Sequence, residues 1–280
     1  MEDSTRLEKA LKHIKDSGGQ VTVLTGAGIS AESGIPTFRG PEGYWTVGSK
    51  EYQPEEMATY AMFSRYPWEV WAWYLYRRTV CKNAVPNAGH LAIAEMEEIF
   101  GNRFRLITQN VDGLHLRAGN SSERTFQIHG NLHMLRCSDE CSRQLFPFPE
   151  NIGDKKKNEQ VTEAEKKLLI CPRCQGLARP HVLWFDEYYD EHFFRAGTAL
   201  HRARITNLLI VVGTAGATNI PMQIGGIVSR NPGAILIDIN ISDNPFRSLI
   251  KKHPGGIIME GGSGEGLTKI LSVLKKLNFY

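Results

Sequence analysis

The sequence predicts an α/β protein, a doubly wound parallel sheet carrying a smaller inserted lobe, and three observations carry that expectation. Short β-rich runs at 21–25, 104–108, 208–212, 234–239 and 256–259 are each followed by glycine or small polar residues. The middle runs lack polar alternation, as strands covered on both faces do. Helical stretches at 88–100, 221–229 and 267–277 separate them, and in the last Leu267, Ile270, Leu271, Leu274 and Leu277 form one apolar stripe.

Two segments interrupt this rhythm. Residues 46–86 are rich in aromatics (Trp68, Trp71, Trp73, Tyr74, Tyr76) and read as a helical insertion. Residues 135–178 hold two cysteine pairs around the hydrophilic stretch DKKKNEQVTEAEKK. The remaining segments, 1–45, 87–134 and 179–280, make up the α/β domain. At 280 residues the chain is long enough for one large domain with a smaller companion.

Composition narrows the class. An apolar fraction of 41% and a charged fraction of 22% are ordinary for a globular chain and argue against disorder. The net charge of +3 is matched by Lys155, Lys156 and Lys157 alone, a run expected to be a solvated loop, so dedicated nucleic-acid binding is not expected. Near the N-terminus Leu7, Leu11 and Ile14 recur at helical spacing, with Ser4 or Thr5 as N-cap. That stretch has neither the apolar core of a signal peptide nor the character of a transit peptide, and no run approaches the roughly 20 apolar residues that cross a bilayer. A cytoplasmic protein without membrane contact is expected.

The spacings Cys137-x₃-Cys141 and Cys171-x₂-Cys174 let each pair present two thiolates to one tetrahedral ion. Four sulfurs close the shell, so a structural Zn²⁺ is expected rather than a catalytic one. The intervening sequence lacks a finger helix and its histidines, which argues against a DNA-reading finger. Cys81 stands apart as a small buried side chain.

The first strand runs into Gly26-Ala27-Gly28-Ile29-Ser30-Ala31, a G-x-G-x-x-G/A pattern. There a backbone can approach a pyrophosphate that faces a helix N-terminus; a bare strand-to-helix turn is the plainer reading. A hydride-transfer dehydrogenase wants an acidic residue about 20 positions on, ending a second strand. Here a Pro/Gly-rich loop follows instead, a lid that would bring Phe38 and Arg39 near the reactive end of a cofactor. The run 104–108 ends in Gln109-Asn110-Val111-Asp112, polar groups placed where open α/β sheets bind ligands, or alternatively a capped strand-to-helix connection. His129, in Ile128-His129-Gly130, is one of nine histidines, and spacing alone does not single it out.

GAGISAESGIPTFRG, Gln109 to Asp112, His129-Gly130, the two cysteine pairs, His181-Val182-Leu183-Trp184-Phe185, Val212-Gly213-Thr214 and a strand ending at Asn240 occur in one order, and together they resemble the sirtuin family over residues 20–275. The resemblance implies NAD-dependent removal of acyl groups from protein lysines, with acylated proteins or peptides as partners. Gly26, Ala27, Gly28, Ser30, Phe38, Arg39, Gly213 and Thr214 would hold NAD. Gln109 and Asn110 would meet the nicotinamide ribose within the Gln109-Asn110-Val111-Asp112 motif, Asp112 the carboxamide, Asn240 the adenosine ribose and Ser263 the adenine side. Asn110 and His129 would be catalytic: the acyl oxygen displaces nicotinamide, and His129 helps deprotonate the ribose diol that receives the acyl group. A base near neutral pKa suits that role.

The resemblance also assigns the substrate. Val182, Phe185 and Glu187 lie in the family's peptide-binding strand, where most relatives have glycine in place of Asp186. Asp186 therefore either alters peptide preference or points to solvent. Tyr74 and Arg77, on one helical face, resemble the pair that binds the carboxylate of succinyl or malonyl groups, with Ala58 leaving room. Acetyl removal stays open beside it. So do mono-ADP-ribosyl transfer or NAD hydrolysis on the same scaffold, and a non-catalytic NAD-sensing module. Ala215 departs from the family's G-T-S and removes one hydroxyl from the nucleotide side.

Overall fold

The computed structural model describes residues 2–37 and 54–278. Six parallel strands form the main sheet: β1 (Val21–Thr25), β2 (Phe104–Thr108), β3 (Thr125–Gln127), β7 (Leu208–Val212), β8 (Ile235–Asn240) and β9 (Gly256–Glu260). Their order, β3-β2-β1-β7-β8-β9, reverses direction between β1 and β7. In such sheets a crevice opens at the reversal, outside the carboxyl ends of the strands.

The unalternating apolar runs have the expected cause. In β7, Leu208, Ile210 and Val212 enter the core beneath the helices Glu2–Ser17, Ala88–Phe100 and Ser263–Lys276. Leu209 and Val211 point the other way, among residues of the helices Ala196–Arg204, Asn219–Val228 and Pro245–Lys251. Leu7, Leu11 and Ile14 are buried as their spacing predicts. The first helix starts at Glu2, so Ser4 and Thr5 lie inside its first turn and not at the N-cap position expected. The expected helix over 267–277 begins earlier, at Ser263, because Gly264 donates its backbone N–H to the distant Glu32 carboxylate at 3.0 Å.

A second, antiparallel sheet joins β4 (Gly130–Cys137), β5 (Phe146–Pro147) and β6 (Ala178–Val182) in the order β5-β4-β6. It shares one core with the helices Tyr60–Arg65 and Pro67–Asn83, built on Trp71, Tyr74, Leu135, Phe148, Leu169 and Trp184. Trp71 fastens the two, its indole N–H donating to the Ala178 carbonyl at 3.1 Å. Lys155 corrects one expectation: it is buried rather than solvated, because Glu165 (2.9 Å) and Glu159 (3.1 Å) pair with its ammonium.

Candidate active site

The glycine-rich turn sits at the β1/β7 crevice and touches the turn after β7. Gly28 N–H donates to the Gly213 carbonyl at 2.7 Å, and Gly26 N–H to that of Val212 at 3.0 Å. A Cβ on Gly213 would lie 2.5 Å from Ile29 N, and its φ of +58° is left-handed, so glycine is required there. The helix that follows, Gly28–Ala31, is a single turn, shorter than the phosphate-facing helix the pattern suggested. Phe38 and Arg39 lie outside the described residues.

At the end of β2 the motif residues converge on that turn. Asn110 Nδ2 donates to the Gly26 carbonyl (3.0 Å) and to Ser30 Oγ (3.1 Å), and Ser30 Oγ donates to Asp112 (2.8 Å). Asp112 also accepts from Leu114 N–H at 2.8 Å. Burial pushes its carboxyl above the usual range, against the pull of these donors. Gln109 spans the crevice: its amide nitrogen donates to Thr214 Oγ1 (2.9 Å), and its oxygen accepts from Thr218 (2.9 Å). Thr214 keeps its own hydroxyl proton for a further acceptor. Val111 contributes backbone, its carbonyl receiving Leu132 N–H at 2.9 Å.

His129 follows β3 and precedes Gly130, whose φ of +92° and contact with the His181 carbonyl admit no side chain. Its Nδ1 faces the Gln109 carbonyl at 3.0 Å and therefore carries the proton. Nε2 is left as the acceptor. Burial draws the imidazole down to about 4, outweighing the Gln109 carbonyl, so the near-neutral titration expected from sequence does not hold. At neutral pH the ring is an uncharged acceptor.

Past β6 one extended segment ties the base to the aromatic helices. Leu183 N–H donates to the His129 carbonyl (3.0 Å), and Phe185 N–H to that of Ala58 (2.9 Å). Between them the buried Trp184 donates its indole N–H to Tyr74 Oη at 2.8 Å. Arg77, 4% exposed, lies with its guanidinium 4.4 Å over the Trp73 ring and 5.4 Å from that of Tyr74. Ala58, Tyr74, Arg77 and Val182 are thus buried about one wall, whereas Phe185 is exposed.

Two assignments on this segment change. Glu187 is committed inward: its carboxylate accepts from Arg179 (2.9 Å), Arg136 (3.2 Å) and Trp184 N–H (2.9 Å). These bonds make it a support for Trp184. Asp186 is exposed yet engaged. It accepts from Tyr60 N–H (2.7 Å) and Ala61 N–H (3.0 Å), capping the helix Tyr60–Arg65 from across the cleft.

The four cysteines meet. Their sulfurs all lie within 4.8 Å of one another, with Cys137–Cys174 and Cys141–Cys171 at 3.6 Å. A tetrahedral ion with Zn–S bonds of roughly 2.3 Å spaces its sulfurs about 3.8 Å apart, whereas a disulfide needs roughly 2.05 Å. The thiols therefore fit zinc and not a bridge. Glu140 and Gln175, with φ of +47° and +62°, make the turns beside Cys141 and Cys174.

On the nucleotide side Asn240 is held by its neighbours, its amide donating to Asp238 and its carbonyl accepting from Arg247 at 2.9 Å. Ser263 opens the last helix, immediately before the Glu32 contact at Gly264, and is buried. Tyr189 and Thr218, which no motif brought forward, complete the surroundings of His129 and Gln109.

A parallel sheet with a glycine turn at its switch point, a polar strand end and a four-cysteine module define a Sir2-type α/β protein. The chain belongs to the Sir2 family, whose profile matches residues 26–219. It is 39% identical over 260 residues to the NAD-dependent protein deacylase of Leptospira interrogans, covering 93% of this chain and 94% of that one. The zebrafish NAD-dependent protein deacylase sirtuin-5, mitochondrial, is 36% identical over 264 residues, covering 90% and 82%. A solved Sir2 homolog–NAD complex superposes with a TM-score of 0.73 at 32% identity, covering 95% and 94%. Another Sir2 structure superposes at 0.74 and 31%, covering 99% and 100%.

Proposed function

We propose that this chain is an NAD-dependent protein-lysine deacylase that acts on acyl groups with an acidic tail, succinyl and malonyl above all. One observation carries the reading: residues 183–185 hydrogen-bond at one end to His129 and at the other to Ala58, joining the crevice at the glycine turn to the wall holding Tyr74 and Arg77. The names of the Leptospira and zebrafish relatives support the deacylase class.

When bound, NAD supplies a labile glycosidic bond and a ribose diol that takes the acyl group. The residues of this chain do the rest. Gly26, Gly28 and Gly213 give the dinucleotide a backbone cradle free of side chains. Asn110, Ser30 and Asp112 hold the nicotinamide end through one hydrogen-bonded set. His129 Nε2 accepts a ribose hydroxyl proton, and the Gln109 carbonyl steadies the Nδ1–H as charge develops. Arg77 receives a carboxylate, beside the Tyr74 hydroxyl. The described part of the helical insertion, 54–86, and the zinc module 135–178 frame the peptide side, with Zn²⁺ in a structural role on Cys137, Cys141, Cys171 and Cys174. A reducing cytoplasm would keep these four cysteines out of disulfides and open to the metal.

A panel of acetyl-, malonyl- and succinyl-lysine peptides, assayed with and without NAD, tests this. The expected products are nicotinamide and O-acyl-ADP-ribose, with succinyl turnover ahead. Arg77→Met should lower kcat/KM for succinyl-lysine about 100-fold, as for loss of a charged pairing worth ~3 kcal/mol, while acetyl-lysine changes little. Equal losses would remove the carboxylate assignment. His129→Ala should keep zinc and lose deacylation. Nicotinamide release that ignores the acyl peptide would point instead to NAD hydrolysis or ADP-ribosyl transfer.

A further inference from the structure

Tyr189 follows the peptide-side segment, and its hydroxyl lies 2.8 Å from His129 Nε2. Because Nδ1 carries the imidazole proton toward Gln109, the Nε2 lone pair accepts and the tyrosine donates. Burial pushes the Tyr189 hydroxyl up to about 12, with Thr218 partly offsetting it, so the donor stays protonated. The lone pair that a substrate hydroxyl must reach is already satisfied by a hydroxyl of the chain. The backbone beside it is anchored: Asp190 caps the helix Glu191–Phe194, accepting from Phe193 N–H at 2.7 Å. The side chain has room to leave, since Tyr189 also lines an open cavity of about 580 Å³ with Glu191, Ala196, Gly197, Thr198 and His201.

We propose that Tyr189 is a positioning residue whose hydroxyl stands in for the ribose hydroxyl on His129 and swings into the adjacent cavity when the dinucleotide binds. This rests on the reading of His129 as the base. Before binding, Tyr189 holds the imidazole in the tautomer that can accept a proton. Each binding event must break that hydrogen bond, so Tyr189 sets the affinity for NAD. A tyrosine suits the task because it offers the same donor chemistry as the ribose and brings no charge into the site.

The test is Tyr189→Phe, which removes the hydroxyl and keeps the ring, with Tyr189→Leu as a second variant should the first fold poorly. KM for NAD should fall about 3- to 10-fold, the worth of one ordinary hydrogen bond, with kcat moving less. In the absence of cofactor, carbethoxylation of His129 by diethylpyrocarbonate, mapped by mass spectrometry, should accelerate to a similar extent, and ADP-ribose should protect it. Unchanged His129 reactivity would overturn the proposal, as would a fall in kcat at fixed KM, which would make Tyr189 a participant in the chemistry. The modification assay needs no turnover. A wild-type protein that fails to deacylate therefore sinks the functional reading while this contact is still tested.

Discussion

Asp186 stands where the sirtuin pattern has glycine, and its two hydrogen bonds give it a use that composition does not show. Capping two N–H groups at a helix start is worth ~1 kcal/mol. Asp186→Ala should lower the urea midpoint accordingly, and a midpoint within error of wild type would deny the cap any energetic weight. Gly213→Ala should cost more, because the added carbon meets backbone at 2.5 Å in a left-handed conformation. Residues whose role depends on their own neighbourhood were legible: the cysteine pairs from spacing, and the glycine turn from its strand and following loop. Asp186, Glu32 and Tyr189 were not, because their partners lie 126, 232 and 60 positions away and no local pattern marks such a pairing. The Glu187 carboxylate is engaged by Arg136 from 51 positions away and by Arg179 from only 8, and no spacing rule marks either pairing.

Among the elements, β7 could be read because it hides both faces and so carries an uninterrupted apolar run, and β1, β2, β8 and β9 from mostly apolar runs that end at glycine or polar residues. β3, three residues long, was too short to signal. The antiparallel sheet was hidden for another reason. β4 (GNLHMLRC) and β6 (ARPHV) carry charged and polar side chains that are buried by pairing, such as Arg136 and Arg179 on Glu187. That pairing has a mechanical result. Arg136 adjoins Cys137, Arg179 follows Ala178, and both grip the carboxylate that holds Trp184 N–H, whose indole in turn meets Tyr74. Chelating the metal should therefore lower Tm and deacylase activity together, and Zn²⁺ should restore both. A metal-free protein that keeps full turnover would show that the module is decoupled from Trp184 and Tyr74.

For the molecule as a whole, pH should act through buried histidines. Burial holds His90 and His129 down at about 4, His181 at about 3, and His115 well below its ordinary value. An unfolded chain binds these protons below about pH 6.5, whereas the folded one refuses those of His90 and His129 until near pH 4 and those of His181 and His115 further down. Stability is thus complete above pH 6.5 and is lost as the pH falls toward 4, with His90 alone contributing ~3 kcal/mol by that point. Urea midpoints measured from pH 7.5 to 4.5 should fall steeply, and His90→Gln should flatten the slope. A midpoint independent of pH across that window would place the imidazoles in contact with water. In the other direction NAD at about 100 times its Kd should add ~2.7 kcal/mol, if the glycine turn and the strand ends grip it only when folded.

The ribbon of residues 183–185 works as a fixed gauge block. Its two backbone hydrogen bonds set the span from the His129 carbonyl to the Ala58 carbonyl without spending a side chain, so the separation of the two ends does not depend on which side chains line them. A substitution at one end of this ribbon would therefore leave the backbone anchor at the other end in place.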